Sequence, residues 1–388
     1  MTKKIIILNV TNTVPQRSIL IAKTLSSLGH ECFLWNWQRE ERSFNTPEFK
    51  TLTIKAGRRF VYFATKVFLR LIKESCDCIV FSDFRLFSVV GLVSKMKNVK
   101  IFYDSQEVPI ITAAERLKKV IPIGTSSLIK MLKLLEYMLL KCVDGMITIP
   151  LQDIEIERYS RLVTNIEVVR NFPSLSVKSA PTKRLSSTLK ENQFIIYAGT
   201  IAHYTGLYLY FEVIRKLRKI EPYSDVMLVL AGKLSGISEE ELQTAIKNMQ
   251  VEDSVVYLGW IPYEELLSII PHAQIGLALF DPNHLKFGYI SEGTSRKIYT
   301  YMYCGIPVIT NPPLGEFVRH EKCGIVIPYN IEELYSAVVN LLKDDDLRRN
   351  LGQNGKNAVL TKYNWERESE KIIKVFENMW SIKQCCRK

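Results

Sequence analysis

Residues 292–311, EGTSRKIYTYMYCGIPVITN, pass from a glycine-bearing loop through a helix start into an apolar strand. Ser295 stands where a side-chain oxygen can cap a helix, and Arg296 and Lys297 fill its first turn. Exposed N–H groups beside two cations favour an anion. Gly305 is placed to end that helix, and Ile306-Pro307-Val308-Ile309 reads as the next strand, with proline near its start. Helix N-termini at the carboxyl ends of parallel strands hold phosphate-bearing ligands in open α/β sheets, so a nucleotide or sugar-phosphate site is expected here. The competing reading is a connecting helix whose cations are merely solvated.

Outward from this stretch, short apolar runs alternate with helical spacing. Residues 4–10, 31–36, 78–81, 100–103, 145–149 and 166–170 read as one series of strands, and 193–197, 226–231, 255–258 and 275–279 as a second. Residues 174–189, SLSVKSAPTKRLSSTL, lack periodicity and separate the two series as a linker. Helices close the chain at 332–342, 347–360 and 365–380, the last long enough to pack back across the domain junction. The loop after the first strand has no G-x-G-x-x-G, so nothing points to a nicotinamide or flavin. Several strands end in polar or glycine-bearing turns: Asp104-Ser105-Gln106-Glu107, Ala198-Gly199-Thr200, Gly232-Lys233 and Gly259-Trp260-Ile261-Pro262. In parallel sheets such ends share one edge, and their convergence marks a site better than isolated turns would.

At 388 residues, two domains of ordinary size are expected. The formal charge of +12 is one-sided: residues 1–173 hold 26 Lys+Arg against 16 Asp+Glu, and residues 174–388 hold 26 against 24. Such a basic half suggests an anionic partner, among which nucleic acid, anionic lipid and acidic polysaccharide all qualify. No nucleic-acid module or aromatic stacking platform accompanies the charge, so nucleic acid is not the expected partner. Two segments, RRFVYFATKVFLRLIK at 58–73 and KMLKLLEYMLLK within 120–141, mix apolar and cationic residues at helical spacing. Each reads either as a helix in a membrane interface or as an ordinary amphipathic helix on the sheet. Eight scattered cysteines without paired C-x-x-C sets imply reduced structural thiols, a cytosolic setting and no metal centre. The start, MTKKIIILNV, reads as a first strand, and no run approaches the length of a membrane span.

The order of features resembles the retaining glycosyltransferases of family 4, nearly end to end. The pieces that carry it are PQRSILIAKTLSSLGHE, YDSQE, MITIPLQDIEIERYS followed by VVRNFP, YAGTIAHYTGL, LVLAGKL, VVYLGWIPYEEL, SRKIYTYMYCGIPVIT and YNWERESEKIIKVFENM. The resemblance implies the GT-B fold: α/β, two Rossmann-like parallel-sheet domains facing a cleft, with the C-terminal helix crossing back to the first. The expected division is an acceptor domain at 1–173, a linker at 174–190, a nucleotide-sugar domain at 191–364, and the returning helix and tail at 365–388. The implied reaction moves a sugar from a nucleotide diphosphate sugar to a glycan or lipid-linked acceptor with retention and without a metal. Capsule, lipopolysaccharide or other cell-surface glycan assembly is the expected setting, with the protein cytoplasmic and peripheral on an anionic inner membrane face.

Taken with the reading of the residues, the resemblance makes Glu292, Gln106 and Lys297 the expected catalytic residues. Together they place Gly199, Thr200, His203, Thr205, Lys233, Trp260, Ile261, Ser295, Arg296 and Thr300 on the expected donor side, with Lys233, His203, Arg296 and Lys297 as the possible phosphate partners, and Arg17, Asp104 and Glu107 on the acceptor side. Arg296 and Lys297 would hold the diphosphate, Glu292 the transferred sugar, and Trp260-Ile261 the base. Four positions depart from the family pattern. Thr300 replaces the second glutamate of a Glu-x7-Glu pair, Thr200 and Thr205 replace an arginine and a lysine, and Gln106 replaces a histidine. These departures support the alternative of a catalytically silent GT-B subunit that binds a glycan or a partner enzyme. A nucleotide-sugar epimerase, which can share the fold, is a further alternative.

Overall fold

Ile5, Ile6, Ile7 and Leu8 are each no more than 2% exposed, as a central strand covered on both faces requires. In the computed structural model this run is β1 (Lys4–Asn9), and the structure describes residues 1–11, 15–38, 49–57, 59–106, 125–150, 153–184, 189, 191–283, 295–312 and 314–381. The chain divides into two compact units, residues 1–170 with 367–388, and residues 171–366.

In the first unit β1 is followed by α1 (Gln16–Ser27), β2 (Glu31–Gln38), β3 (Lys50–Lys55), α2 (Phe60–Lys73), β4 (Cys78–Phe81), α3 (Phe87–Lys97), β5 (Lys100–Ser105), α4 (Thr125–Leu140), β6 (Gly145–Thr148), α5 (Asp153–Leu162) and β7 (Ile166–Val168). The seven strands are parallel in the order β3-β2-β1-β4-β5-β6-β7. β3, KTLTIK, is an edge strand that the apolar pattern does not announce, because pairing on one side only lets half its residues stay polar.

The second unit runs β8 (Phe194–Ala198), α6 (Leu207–Leu217), β9 (Met227–Ala231), α7 (Glu239–Asn248), β10 (Val255–Gly259), α8 (Tyr263–Ile269), β11 (Ile275–Ala278), α9 (Arg296–Cys304), β12 (Val308–Thr310), α10 (Glu316–His320), β13 (Gly324–Val326), α11 (Ile331–Lys343) and α12 (Asp345–Thr361). Its parallel sheet has the order β10-β9-β8-β11-β12-β13. The order reverses between β8 and β11, and that reversal opens the crevice where doubly wound sheets receive ligands. Residues 174–184 are tied to this unit: the Ala180 N–H donates to the Glu264 carbonyl at 2.9 Å, and the Thr182 hydroxyl to the Glu265 carboxylate at 2.8 Å.

The last helix, α13 (Trp365–Ser381), carries the chain from the second unit into the first. Val375, Phe376 and Met379 are 1% exposed, and a Cβ on Gly145 would stand 2.6 Å from the Met379 sulfur, so β6 needs glycine there for the helix to close on the sheet. The Asn165 amide donates to the Val375 carbonyl at 2.8 Å, and the Glu368 carboxylate accepts from the Arg170 N–H at 2.7 Å.

Candidate functional site

At the carboxyl ends of β8, β9 and β10 the chain turns through Gly199, Gly232 and Gly259. Gly199 and Gly232 both have φ of +152°, and a Cβ on Gly232 would fall 1.7 Å from the Gly199 carbonyl oxygen. Only glycine allows backbones to approach so closely. The Gly199 N–H donates to the Ala231 carbonyl at 2.8 Å, so it is spent within the sheet rather than offered to a ligand.

Lys297 reaches the switch point from the first turn of α9. Its Nζ lies 4.4 Å from the Phe280 ring centroid, just past β11, and 4.6 Å from that of Tyr197 on β8. It donates to the Tyr197 hydroxyl at 2.9 Å, which in turn donates to the Thr200 carbonyl at 2.6 Å. A Cβ on Gly199 would stand 2.7 Å from the Lys297 Cε. Two rings, one of them a phenol, and a bare backbone thus enclose an ammonium. Among the described residues no carboxylate lies within ion-pair distance of it, and loss of hydration pushes its pKa down to about 7. An anion entering this crevice would supply the missing charge.

The neighbouring side chains are unequal in what they can do. Ser295 sits at the N-cap position with φ −86° and ψ 87°, yet its side chain accepts no hydrogen bond from the first turn, contrary to the capping expected of it. Its buried Oγ has no partner among the described residues. The Arg296 guanidinium lies 5.8 Å from the Tyr263 ring. Thr300, 3% exposed, donates to the Arg296 carbonyl at 3.1 Å and stands 3.5 Å from the Tyr263 hydroxyl, whose pKa burial raises to about 12. Thr205 is also turned inward: its hydroxyl bonds the Ala202 carbonyl at 2.7 Å and accepts from the Ala202 N–H at 3.1 Å, closing its own loop.

Lys233 and Trp260 face solvent together, with the ammonium 5.4 Å from the ring centroid, whereas Ile261 is buried in the core and has only its main chain to offer. His203 is exposed and stacks on Tyr208 at 5.9 Å. Thr200 is exposed beside Gly199. Glu292 lies outside the described residues.

At the corresponding edge of the first unit, Arg17 and Asp104 are 3% and 2% exposed and spent on each other. Arg17 Nε contacts both Asp104 oxygens at 2.9 and 3.0 Å, and Nη1 donates to the Val169 carbonyl at 3.1 Å. The Gln106 amide donates to the same carboxylate at 2.7 Å. Glu107 lies outside the described residues. The sequence alone does not single out Tyr197, Phe280 or Tyr263, since an aromatic at a strand end or in a short helix reads as core. The signal available was their position next to the glycine turns and the α9 start.

Residues 180–358 match the family model of glycosyl transferases group 1. An uncharacterised glycosyltransferase of Methanocaldococcus jannaschii is 22% identical over 200 residues, 51% of this chain and 48% of that protein. The chain thus spans about half the length of that curated relative. Sucrose-phosphate synthase from Thermosynechococcus elongatus superposes with a TM-score of 0.70 at 15% identity, covering 98% of this chain and 100% of its own. Anabaena HepE, solved in complex with UDP-glucose, gives 0.69 at 13% identity over 98% and 100%. No group of three or more potential metal ligands occurs among the described residues, and no described helix is long and apolar enough to cross a membrane. The chain has the GT-B fold, and within it residues 180–358 match the family model of glycosyl transferases group 1.

Proposed function

We propose that this protein transfers a sugar from a nucleotide diphosphate sugar to a glycan or lipid-linked acceptor. The observation that carries the reading is Lys297, an ammonium with no carboxylate partner among the described residues, at the switch point of a unit that matches glycosyl transferases group 1. As the sugar–phosphate bond breaks, negative charge gathers on the leaving diphosphate. Protonated Lys297, with Arg296 and the N-terminus of α9, is placed to meet that charge, so the step calls for no metal. Retention of configuration follows from the family resemblance. The basic first half fits an acceptor carried at an anionic membrane, with capsule or lipopolysaccharide assembly as the setting and the inner face as the location.

The test is release of nucleotide diphosphate from a panel of nucleotide sugars, beginning with UDP-glucose, the ligand of HepE. Release by the wild type and its loss in Lys297→Ala are expected. Thr205 and Thr300, both turned inward, motivate the alternative of a silent subunit that binds a glycan or partner enzyme. Absence of release with every donor, with and without lipid-linked acceptors, would overturn the transfer reading.

A further inference from the structure

Helix α4 is turned inside out. It buries Glu136, 1% exposed and bonded to Arg158 and Tyr159, while Met131, Leu134, Leu135 and Met138 remain 41–59% exposed. Those four follow the i, i+3, i+4, i+7 spacing of a single stripe, the pattern that ordinarily faces a core. Lys130, Lys133 and Lys141 fringe the helix, Lys141 lying 4.3 Å over the Tyr137 ring. Helix α2 buries Phe63, Ala64, Val67 and Leu71 against its unit and leaves further apolar residues outside. Val61, Tyr62 and Leu69 are 77%, 52% and 54% exposed, Lys66 lies 4.4 Å over Tyr62, and Arg59, Arg70 and Lys73 belong to the same segment.

The helices form one layer, because α2 packs on α3 and α3 on α4. Ten of the sixteen exposed large apolar residues among the described residues lie on these three helices. Scattered surface apolar residues are ordinary, whereas a contiguous face of them marks an interaction surface. The cations identify its occupant. A second copy docking on the same face would bring like-charged lysines together, whereas an anionic bilayer accepts apolar side chains at its acyl boundary and the lysines at its headgroups.

We propose that the outer face of α2, α3 and α4 docks on an anionic lipid bilayer. This deepens the membrane part of the function proposed above and rests on it, yet its test needs neither donor nor acceptor. The full chain is sedimented with phosphatidylcholine vesicles with and without about 30% phosphatidylglycerol, at low salt and at about 0.5 M. Binding to the anionic vesicles that weakens in salt is expected. The double variant Leu134→Glu/Met138→Glu should lower partitioning by at least about tenfold. It should keep the wild-type melting temperature and the wild-type nucleotide diphosphate release. If it fails to fold, Tyr62→Ser/Leu69→Ser on α2 gives the same readout. No partitioning at low salt, or equal partitioning by the folded variants, overturns the proposal. So does a concentration-dependent dimer that the variants abolish, which would assign the face to a second copy. Absence of vesicle binding by the wild type with its donor cleavage intact removes only this surface, and binding without cleavage removes only the reaction.

Discussion

Two cations at the carboxyl-end edges of the two sheets are housed in opposite ways. Arg17 is matched by the carboxylate of Asp104 through two contacts and by the Val169 carbonyl, so its charge is balanced inside the fold. Lys297 has two rings, one of them a phenol, and among the described residues no acid. A balanced charge belongs to the architecture of its unit. An unbalanced one costs free energy until something anionic arrives, and proteins keep such costs where they serve binding or chemistry.

The comparison can be broken at its strongest point first. Asp104→Ala leaves the Arg17 guanidinium buried without its acid and should cost about 3–5 kcal/mol in urea unfolding. A loss below about 1 kcal/mol would mean that Arg17 is not balanced by this pair. Lys297→Met should act in the reverse sense, leaving stability unchanged or raised while donor cleavage falls about 10²–10³-fold. Cleavage at the wild-type rate would remove Lys297 from the chemistry.

A pH titration sharpens the contrast. Lysine titrates near 10.4 in an unfolded chain, and Lys297 near 7 in the fold. Between those values the unfolded chain holds a proton that the folded chain has released. Lys297 therefore makes stability rise with pH across that window, by up to about 1.4 kcal/mol per unit. Buried tyrosines and cysteines, whose pKa values burial raises, act in the opposite direction. The difference between wild type and Lys297→Met isolates the lysine, and a flat difference from pH 7 to 10 would refute its depressed titration. The smallest effect is expected for Tyr197→Phe, which removes the one hydrogen bond described for the ammonium and should cost about 1 kcal/mol in the same unfolding assay.

Much of this architecture is legible in the chain itself. The apolar runs of β1, β4, β8 and β11 declare central parallel strands because both of their faces are covered. Gly305 ends α9 with φ +77°, as the sequence predicts. Lys297 could be placed near a helix start, but not between Tyr197 and Phe280, because periodicity carries no information about which strand ends meet. Ser295 has the right residue type for a cap and the wrong backbone angles to make one. In α4 the spacing predicts a single apolar stripe and leaves open which way it faces. The ion pair of Glu136 with Arg158 decides that, and its partners lie 22 residues apart in the chain.

The route of the chain into α13 bears on how the protein is made. Residues 171–366 form the second unit, yet residues 367–381 complete the first. On a ribosome, β5 and β6 are therefore synthesised well over two hundred residues before Phe376 and Met379, the side chains that cover Phe102 and Gly145. The nascent first unit must wait with that surface bare while the second unit folds as a unit of its own. A chain cut before Trp365 should keep the second sheet and enter aggregates through the first.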